Sequence, residues 1–457
     1  MIKKYKDKII KFLDNPLGIA FTKAIIGALL TLFIYQFYSI EFIRATIEDA
    51  AFDTISWFAL SKTSTDTNQS NVFVLMLDDK YLASKHLLDE NNETNYGYIL
   101  PREYLAEVIK NVDRLVEDID EENYPSSLFL DYDISYLSDP HNKVASEGDL
   151  QLLEVLKHPR PYTIYLPMTS NYNYIYSSKD KDIQKLIDSG KIKFVSVGLT
   201  SASDDVSRRY YSYEIYKNKQ NQAQKFMNVS IQLYANQKDL DEKIFNTFSQ
   251  TAIALIENRI IFKDSNIVED TNDYITYQSN WKKLSMMSAN YPLDTIYEDD
   301  LKNSVIFVGA AHSASNDTFE VDAYSRELSG VEMHANAFMT LNYLGGKLKR
   351  LPVYISVLIV FFVIFIIDLF LSLVYEKLVR WKEKITLKMI KGFVGFFIYD
   401  EKDDFHEMWL VVLSLGVMFL ISYKLLLSSE HYWFNWMVPA LMYPPYLILM
   451  GFKKFIK

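Results

Sequence analysis

Acidic residues at the ends of predicted β-strands are the side chains with the clearest chemical potential in this sequence. Asp78 closes the apolar run NVFVLML at 71–77, and Asp131 and Asp133 lie in SLFLDYDI at 127–134. We expect these two strands to be neighbours in a parallel sheet, where ligands gather beyond the carboxyl ends. Carboxylates there would suit a hard cation or the basic part of a ligand. For any single residue, however, we favour helix capping or bonding to loop amides.

Histidines, arginines and glycines add further candidates. His334 lies in a predicted helix at 331–344, where a packed, hydrogen-bonded role is more typical than a ligand role. His312 and His334 lack the spacing of a zinc site. Arg208 lies in VSRRYY, which could bind an anion but is more typical of a charged hairpin. Gly309 lacks the other residues of a phosphate-binding loop, and no nucleophile elbow is present. We therefore predict no catalytic residue and no metal site, and no cofactor can be identified.

The elements around these residues predict an α/β domain with a largely parallel or mixed sheet. Strand-like and helix-like segments alternate, which is typical of right-handed crossovers that cover both faces of a sheet. Strands are predicted at 71–77, 127–134, 162–167, 193–199, 208–218 and 303–309, and helices at 102–112, 150–157, 221–237 and 331–344. The stretch at 238–300 is the least regular, and its apolar TAIALI fits either a helix or a strand.

Composition excludes several classes of protein. The 457 residues are 49% hydrophobic, and the apolar residues concentrate near the N-terminus and in the last hundred residues, as in a membrane protein with a large polar insert. The formal charge of −10 argues against nucleic acid as a partner. The absence of cysteine excludes disulfides, thiolate metal sites and cysteine nucleophiles.

Four apolar runs are long enough to cross a bilayer, since a helix needs about 20 apolar residues to do so. Lysines before the first run place the N-terminus in the cytoplasm, and basic flanks after the second and fourth runs agree. A signal peptide is less consistent with the length of the first run. The predicted division is a cytoplasmic basic tail at 1–16, a transmembrane helix at 17–40, an extracytoplasmic domain at 41–350, a second transmembrane helix at 351–375, a cytoplasmic loop at 376–407, further transmembrane helices at 408–427 and 432–452, and a cytoplasmic tail at 453–457.

Ionisable residues and prolines interrupt the predicted spans. Asp368 and Lys424 lie near opposite faces of the bilayer, too far apart to pair, so we expect each side chain to reach to its nearest interface. Pro439, Pro444 and Pro445 predict a kinked fourth helix.

A series of motifs runs along the polar region in a characteristic order. They are IEDAAFDTISWFAL with Asp53, VLMLDD with Asp78, YGYILPREYLAEVI with Gly97, Pro101, Arg102 and Tyr104, LFLDYDISY, DDVSRRY, SANYP, NSVIFVGA, Asp317, and GVEMHANAF with Gly330, His334 and Ala335. In content and order these motifs resemble the CHASE type-two family, an extracytoplasmic sensory domain of bacterial receptors. The turn at 204–209 departs from the family by lacking a glycine, and Ile99 and Leu100 stand where a tryptophan is common.

The resemblance implies a transmembrane sensor in the bacterial cytoplasmic (inner) membrane, with both termini in the cytoplasm and the large domain in the periplasm. Members usually continue into a kinase or cyclase, whereas this sequence ends at Lys457, so we expect the output to lie on a separate membrane or cytoplasmic protein. The other expected partners are the lipid bilayer, an unidentified periplasmic ligand or protein, and further copies of the chain. The candidate ligand-binding residues are Asp78, Arg102, Asp131, Asp133, Arg208, Asp317 and His334.

Two other functions stay open. An oligomeric membrane effector or scaffold would assemble the helices into a pore or platform, using Asp368, Lys424 and the kinked helix. A periplasmic hydrolase would use Asp78, Asp131 or His334 for catalysis. We favour the non-enzymatic sensor.

Overall fold

The structure is a computed structural model of the chain. The residues it describes are 15–37, 51–52, 54–55, 71–91, 93–96, 99–134, 137–138, 144–168, 181–201, 207–210, 213–217, 223–238, 273–274, 284–315, 317–320, 327–344, 349–384, 402–428 and 432–437. The chain divides into an α/β domain, Thr63–Lys347, and a helical unit that combines Met1–Lys62 with Leu348–Lys457. Each is described by itself.

The described elements alternate between helix and strand over most of the α/β domain. The helices are α1 (Pro16–Phe37), α2 (Asp79–Ser84), α3 (Arg102–Glu117), α4 (Glu147–Lys157), α5 (Lys181–Asp188), α6 (Val229–Gln237), α7 (Glu298–Leu301), α8 (Gly330–Leu344), α9 (Val353–Lys384) and α10 (Lys402–Leu426). The strands are β1 (Val72–Leu77), β2 (Ser127–Asp131), β3 (Thr163–Pro167), β4 (Ile192–Val195), β5 (Leu199–Ser201), β6 (Ser207–Tyr210), β7 (Tyr213–Lys217), β8 (Ala223–Met227), β9 (Asp273–Tyr274), β10 (Leu284–Ser288), β11 (Val305–Ala310), β12 (Thr318–Glu320), β13 (Glu327–Ser329), β14 (Lys349–Arg350) and β15 (Tyr432–Trp433).

A six-stranded parallel sheet forms the core of the α/β domain, in the order β10-β1-β11-β2-β3-β4. Helices α2, α3, α4, α5 and α7 pack on one face, and α6 and α8 cover the other. The predicted α/β class with a parallel sheet is therefore confirmed.

The expected adjacency of β1 and β2 is wrong, because β11 pairs with both of them. Every residue of β11 is buried, which fits a central strand covered on both faces. Asp78, which follows β1, and Asp131, which ends β2, therefore lie two strand positions apart in the sheet.

The predicted helix at 221–237 is wrong in its first half. Residues Ala223–Met227 form β8, which pairs antiparallel with β7. Asn228 then caps α6, because its side-chain oxygen accepts a hydrogen bond from the Ser230 amide at 3.0 Å. The segment TAIALI lies outside the described residues.

Among the described residues of the helical unit, three helices are long and apolar enough to cross a membrane: Pro16–Tyr35, Val353–Val374 and Trp409–Leu426. They agree with the first three predicted spans. The fourth, predicted at 432–452, begins differently, because residues 432–433 form strand β15, which pairs with β14. The remainder of that span, with its prolines, lies outside the described residues.

The expectation that Asp368 reaches to the membrane interface is also wrong. Its carboxylate is fully buried and lies 2.8 Å from Nζ of Lys23 on α1. Lys424, by contrast, is exposed on α10. The partner of Asp368 is therefore Lys23, a lysine near the start of the first apolar span, which the sequence analysis did not identify.

Candidate functional site

The carboxyl edge of the sheet brings Asp131 against α8. Phe129 on β2 belongs to the core beneath α8, and side chains two apart on a strand share a face, so Asp131 points the same way. Oδ2 of Asp131 lies 4.0 Å from Nε2 of His334 on α8. Together with Tyr132 and Asp317, these two residues form what we name the carboxyl-edge cluster.

His334 is packed as expected, but its Nδ1 lacks the expected hydrogen bond within the described part of the chain. The residue is 2% exposed, and its ring meets Phe129 edge-to-face with centroids 5.6 Å apart. Burial lowers the pKa of His334 to about 3, so the imidazole is neutral and does not form an ion pair with Asp131. Among the described residues, none accepts from or donates to its Nδ1.

Asp317 is held against the first turn of α8 by Gly330. The Gly330 amide donates to the Asp317 carbonyl oxygen at 3.0 Å. A Cβ on Gly330 would lie 2.5 Å from Oδ2 of Asp317, so glycine is what allows the carboxylate this position. Burial raises the pKa of Asp317, and the Gly330 amide offsets part of that rise. His334 follows Gly330 by about one turn of the helix.

The two carboxylates of the carboxyl-edge cluster act on each other. Burial raises the pKa of Asp131 well above its usual value, and the nearby charge of Asp317 raises it further. The pKa of Tyr132 is also raised well above its usual value, by burial first and then by Tyr96 and Asp131. The Tyr132 hydroxyl is buried without a hydrogen-bond partner in the described part of the chain. The cluster is thus acidic, sheltered and incompletely hydrogen-bonded.

Such a cluster can take up a proton or hold a positively charged group. Arg102, which is 2% exposed, lies close enough to Tyr132 to lower its pKa in part. The described residues include no group of three or more histidine or acidic side chains placed to hold a metal ion.

Four predicted site residues lie outside this cluster. Asp78 caps α2: its Oδ1 accepts from the Tyr81 amide at 2.9 Å and from the Ser288 hydroxyl at 2.7 Å. Arg102 borders the cluster and donates to the carbonyl oxygen of Asp133 at 2.6 Å. The Asp133 side chain is exposed. Arg208 lies on β6, and its side chain is outside the described residues.

Sequence reasoning missed the tyrosines. Tyr132 stands between the two aspartates of LDYD, a position that marks it in retrospect. The Tyr96 hydroxyl lies 3.5 Å from Nε2 of His312, and burial raises the pKa of Tyr96 to about 12. Burial also lowers the pKa of His312, with Asp79 opposing that effect. These residues extend the polar surroundings of the carboxyl edge.

A second buried charged group lies away from the strand ends. Arg160 binds both carboxylate oxygens of Asp113 at 2.7 Å, and the Tyr162 hydroxyl donates to the same carboxylate. We name these three residues the arginine cluster. Asp113 also lines an open cavity of about 470 Å³ between α3 and α4, whose other charged residues include Lys110, Arg114, Glu147 and Glu154.

Comparison with known families gives one match. The sequence model of the CHASE2 domain matches residues 25–370, a stretch that includes most of α1, the whole α/β domain and the first part of α9. Neither the comparison with curated proteins nor that with solved structures found a match.

Proposed function

Since the chain belongs to the CHASE2 domain family of extracytoplasmic sensory domains, we propose that it is a transmembrane sensor without catalytic activity of its own. The α/β domain binds a signal at the carboxyl-edge cluster, and the membrane helices pass the resulting change to a separate protein. The single observation that carries the choice of site is the incomplete hydrogen bonding of buried polar groups around the start of α8.

Incomplete hydrogen bonding favours a binding role because a buried polar group without a partner costs free energy. Most such groups in proteins are satisfied, so an unsatisfied buried group calls for an explanation, and groups with strongly shifted pKa values cluster at functional sites. A ligand with a positively charged nitrogen would compensate Asp131 and Asp317 together. It would also offer hydrogen bonds to the Tyr132 hydroxyl and to His334.

Helix α8 would transmit to the membrane helices the conformational change caused by ligand binding. Gly330 and His334 lie on its first turn and a half, and the chain continues from its end into β14 and α9. A ligand changes a structure only through different affinities for two states. We propose that binding changes the position of α8 relative to the sheet, which alters the strain on α9.

Thermal unfolding of the full chain in lipid nanodiscs tests this site. The probes are putrescine, agmatine and choline, each compared with sodium chloride at matched ionic strength. We expect at least one amine to raise the unfolding midpoint of the unaltered chain, and Asp131→Asn or Asp317→Asn to abolish that rise. The matched control is Asp120→Asn, which changes an exposed aspartate whose side chain makes no cap bond. The site is wrong if all three aspartate variants respond as the unaltered chain does, or if no probe has an effect.

The proposed orientation in the bacterial cytoplasmic membrane is tested by labelling single cysteines, because the chain has none of its own. Tyr297 in the α/β domain is 79% exposed, and Lys377 follows the apolar part of α9. In intact cells an impermeant maleimide should label Tyr297→Cys and leave Lys377→Cys unlabelled until the cells are opened. The reverse pattern would overturn the sensor proposal.

The output is proposed to leave through a separate protein bound to the connecting loop at 385–401, between α9 and α10 and within the predicted cytoplasmic stretch 376–407, or to the helices. Pull-down from detergent, with and without that loop, should recover different partners, and unchanged partners would contradict the proposal. An oligomeric effector stays the alternative, and it predicts conductance in planar bilayers. One of its polar residues, Asp368, is already paired with Lys23.

A further inference from the structure

An ion pair joins two membrane-type helices of the helical unit. Nζ of Lys23 on α1 lies 2.8 Å from Oδ1 of Asp368 on α9. The two side chains are 12% and 0% exposed. Both residues lie inside the apolar spans Pro16–Tyr35 and Val353–Val374. These helices precede and follow the α/β domain in the chain, so the ion pair connects its two tethers.

Most of the surroundings of the pair are apolar. Ala24, Val360, Ile364 and Ile367 belong to the buried apolar cluster of the helical unit, and the rings of Phe21 and Phe361 meet edge-to-face at 5.8 Å. Apolar contacts of this kind select no single register strongly, because lipid tails are as apolar as the side chains they replace.

A buried ion pair selects a register for a different reason. Moving either helix by one turn would separate Lys23 from Asp368 and leave each charge in hydrocarbon, where an unpaired charge is costly. The penalty falls on every alternative packing and not on the native one. A polar pair therefore supplies the specificity that apolar packing lacks, in the way that a single polar position specifies register in coiled coils.

We infer that Lys23 and Asp368 form a membrane-embedded register latch, which holds α1 and α9 in one packing so that the two tethers of the α/β domain move as one body. Helix α9 also packs on α10. Relative movement within the helical unit then falls on α10 and not on α1. This inference does not depend on the identity of the signal or on the carboxyl-edge cluster.

Cysteine cross-linking of the full chain in its membrane tests the latch, since the chain supplies a cysteine-free background. The reporter pair is Phe21→Cys with Phe361→Cys, joined by a short bis-maleimide. The negative control is a second pair, Phe33→Cys with Ile366→Cys. Phe33 is 59% exposed and Ile366 is 60% exposed, so both lie on exposed faces of the two helices, and this pair should not cross-link in any background. Cross-linking is measured in three backgrounds: the native pair, the exchanged pair Lys23→Asp with Asp368→Lys, and the neutral pair Lys23→Met with Asp368→Leu.

We expect efficient cross-linking of the first reporter with the native and the exchanged pairs, and a several-fold loss with the neutral pair. The neutral pair is used because replacing both partners by apolar side chains leaves no uncompensated charge, so the helices still assemble. The control Lys424→Met removes an exposed lysine on α10 and should change nothing. The latch is overturned if the neutral pair cross-links as the native pair does, or if the exchanged pair fails to restore cross-linking.

Discussion

Two buried charged groups in the α/β domain differ in how completely they are satisfied. In the arginine cluster, the Arg160 guanidinium binds the Asp113 carboxylate through two nitrogens and also donates to the carbonyl oxygen of His158. In the carboxyl-edge cluster, Asp131 faces a neutral His334 at 4.0 Å, and Asp317 raises its pKa. Buried titratable groups are common to both clusters, whereas among the described contacts a bidentate pair of opposite charges is found in the arginine cluster.

This difference separates a structural role from a binding role. A bidentate arginine–carboxylate pair has little to gain from a ligand, and its geometry fixes the end of α4 against α3. Asp131 and Asp317, which raise each other's cost of ionisation without a described cationic partner in the carboxyl-edge cluster, would be stabilised by an added positive charge. Incomplete compensation, and not burial of charge as such, is therefore the feature that identifies a candidate site.

Asp113→Ala should have the largest effect on stability. The change leaves the Arg160 guanidinium buried without its carboxylate, which costs about 3–5 kcal/mol of unfolding free energy. Urea unfolding of the full chain, followed by circular dichroism, measures it. The matched control, Glu117→Ala, removes an exposed carboxylate from the same helix and should cost no more than about 0.5 kcal/mol. Equal midpoints for the two variants would show that the arginine cluster is not structural.

Gly330→Ala should lower the free energy of unfolding by an intermediate amount, because the added Cβ overlaps Oδ2 of Asp317. Overpacking of this kind costs about 1–3 kcal/mol. In the background Asp317→Ala the overlapping oxygens are gone, so the same change should cost less. A double-mutant cycle measures that coupling, and strictly additive costs would mean that Gly330 and Asp317 do not constrain each other.

The pH dependence of stability should carry opposite contributions from the carboxyl-edge cluster. His334 titrates at 6.5 when unfolded and at about 3 when folded, so its contribution is present above pH 6.5 and is lost as the pH falls below it. The loss has a slope of at most about 1.4 kcal/mol per pH unit. Asp131 and Asp317 have raised pKa values, so their contribution is present at low pH and lost as the pH rises.

Unfolding free energies at several pH values between 7 and 4 separate these contributions. His334→Leu should lose less stability on acidification than the unaltered chain, and Asp131→Asn should lose more. Parallel curves for all three proteins would show that the carboxyl-edge cluster does not titrate as its burial implies.

Asp131→Asn at pH 7 should change the free energy of unfolding least, and it should raise that free energy where the preceding substitutions lower it. The raised pKa means that the folded protein disfavours the ionised carboxylate, so a neutral amide should stabilise the folded protein slightly. Asp120→Asn, on an exposed position, should leave the unfolding midpoint unchanged. A destabilised Asp131→Asn variant would indicate that the carboxylate has a stabilising partner.

Much of the fold could be predicted because its signals are local. β1 and β11 are continuous apolar runs, α3 repeats its buried residues at helical spacing, and α9 is apolar over more than the width of a bilayer. The part of the candidate site that could be predicted was its residue types. Asp131, Asp317 and His334 were each candidates, but nothing in their spacing brings them together.

The errors share a physical cause. Residues 223–227 were taken for helix because they precede a helical pattern, whereas pairing with β7 makes them a strand. Asp368 was predicted to reach the membrane interface without a partner, whereas it pairs with Lys23, which lies 345 positions earlier in the chain. In both cases a contact distant in sequence outweighed the local preference.

The sequence by itself determined the apolar spans, the α/β alternation and the family motifs, because hydrophobic periodicity and turn chemistry act over a few residues. Only the tertiary structure decided that β11 lies between β1 and β2, that Asp131 faces His334 and is influenced by Asp317, and that Lys23 meets Asp368. Strand order and charge pairing depend on which distant segments are buried together, and the free energy of those contacts exists only once the chain has folded.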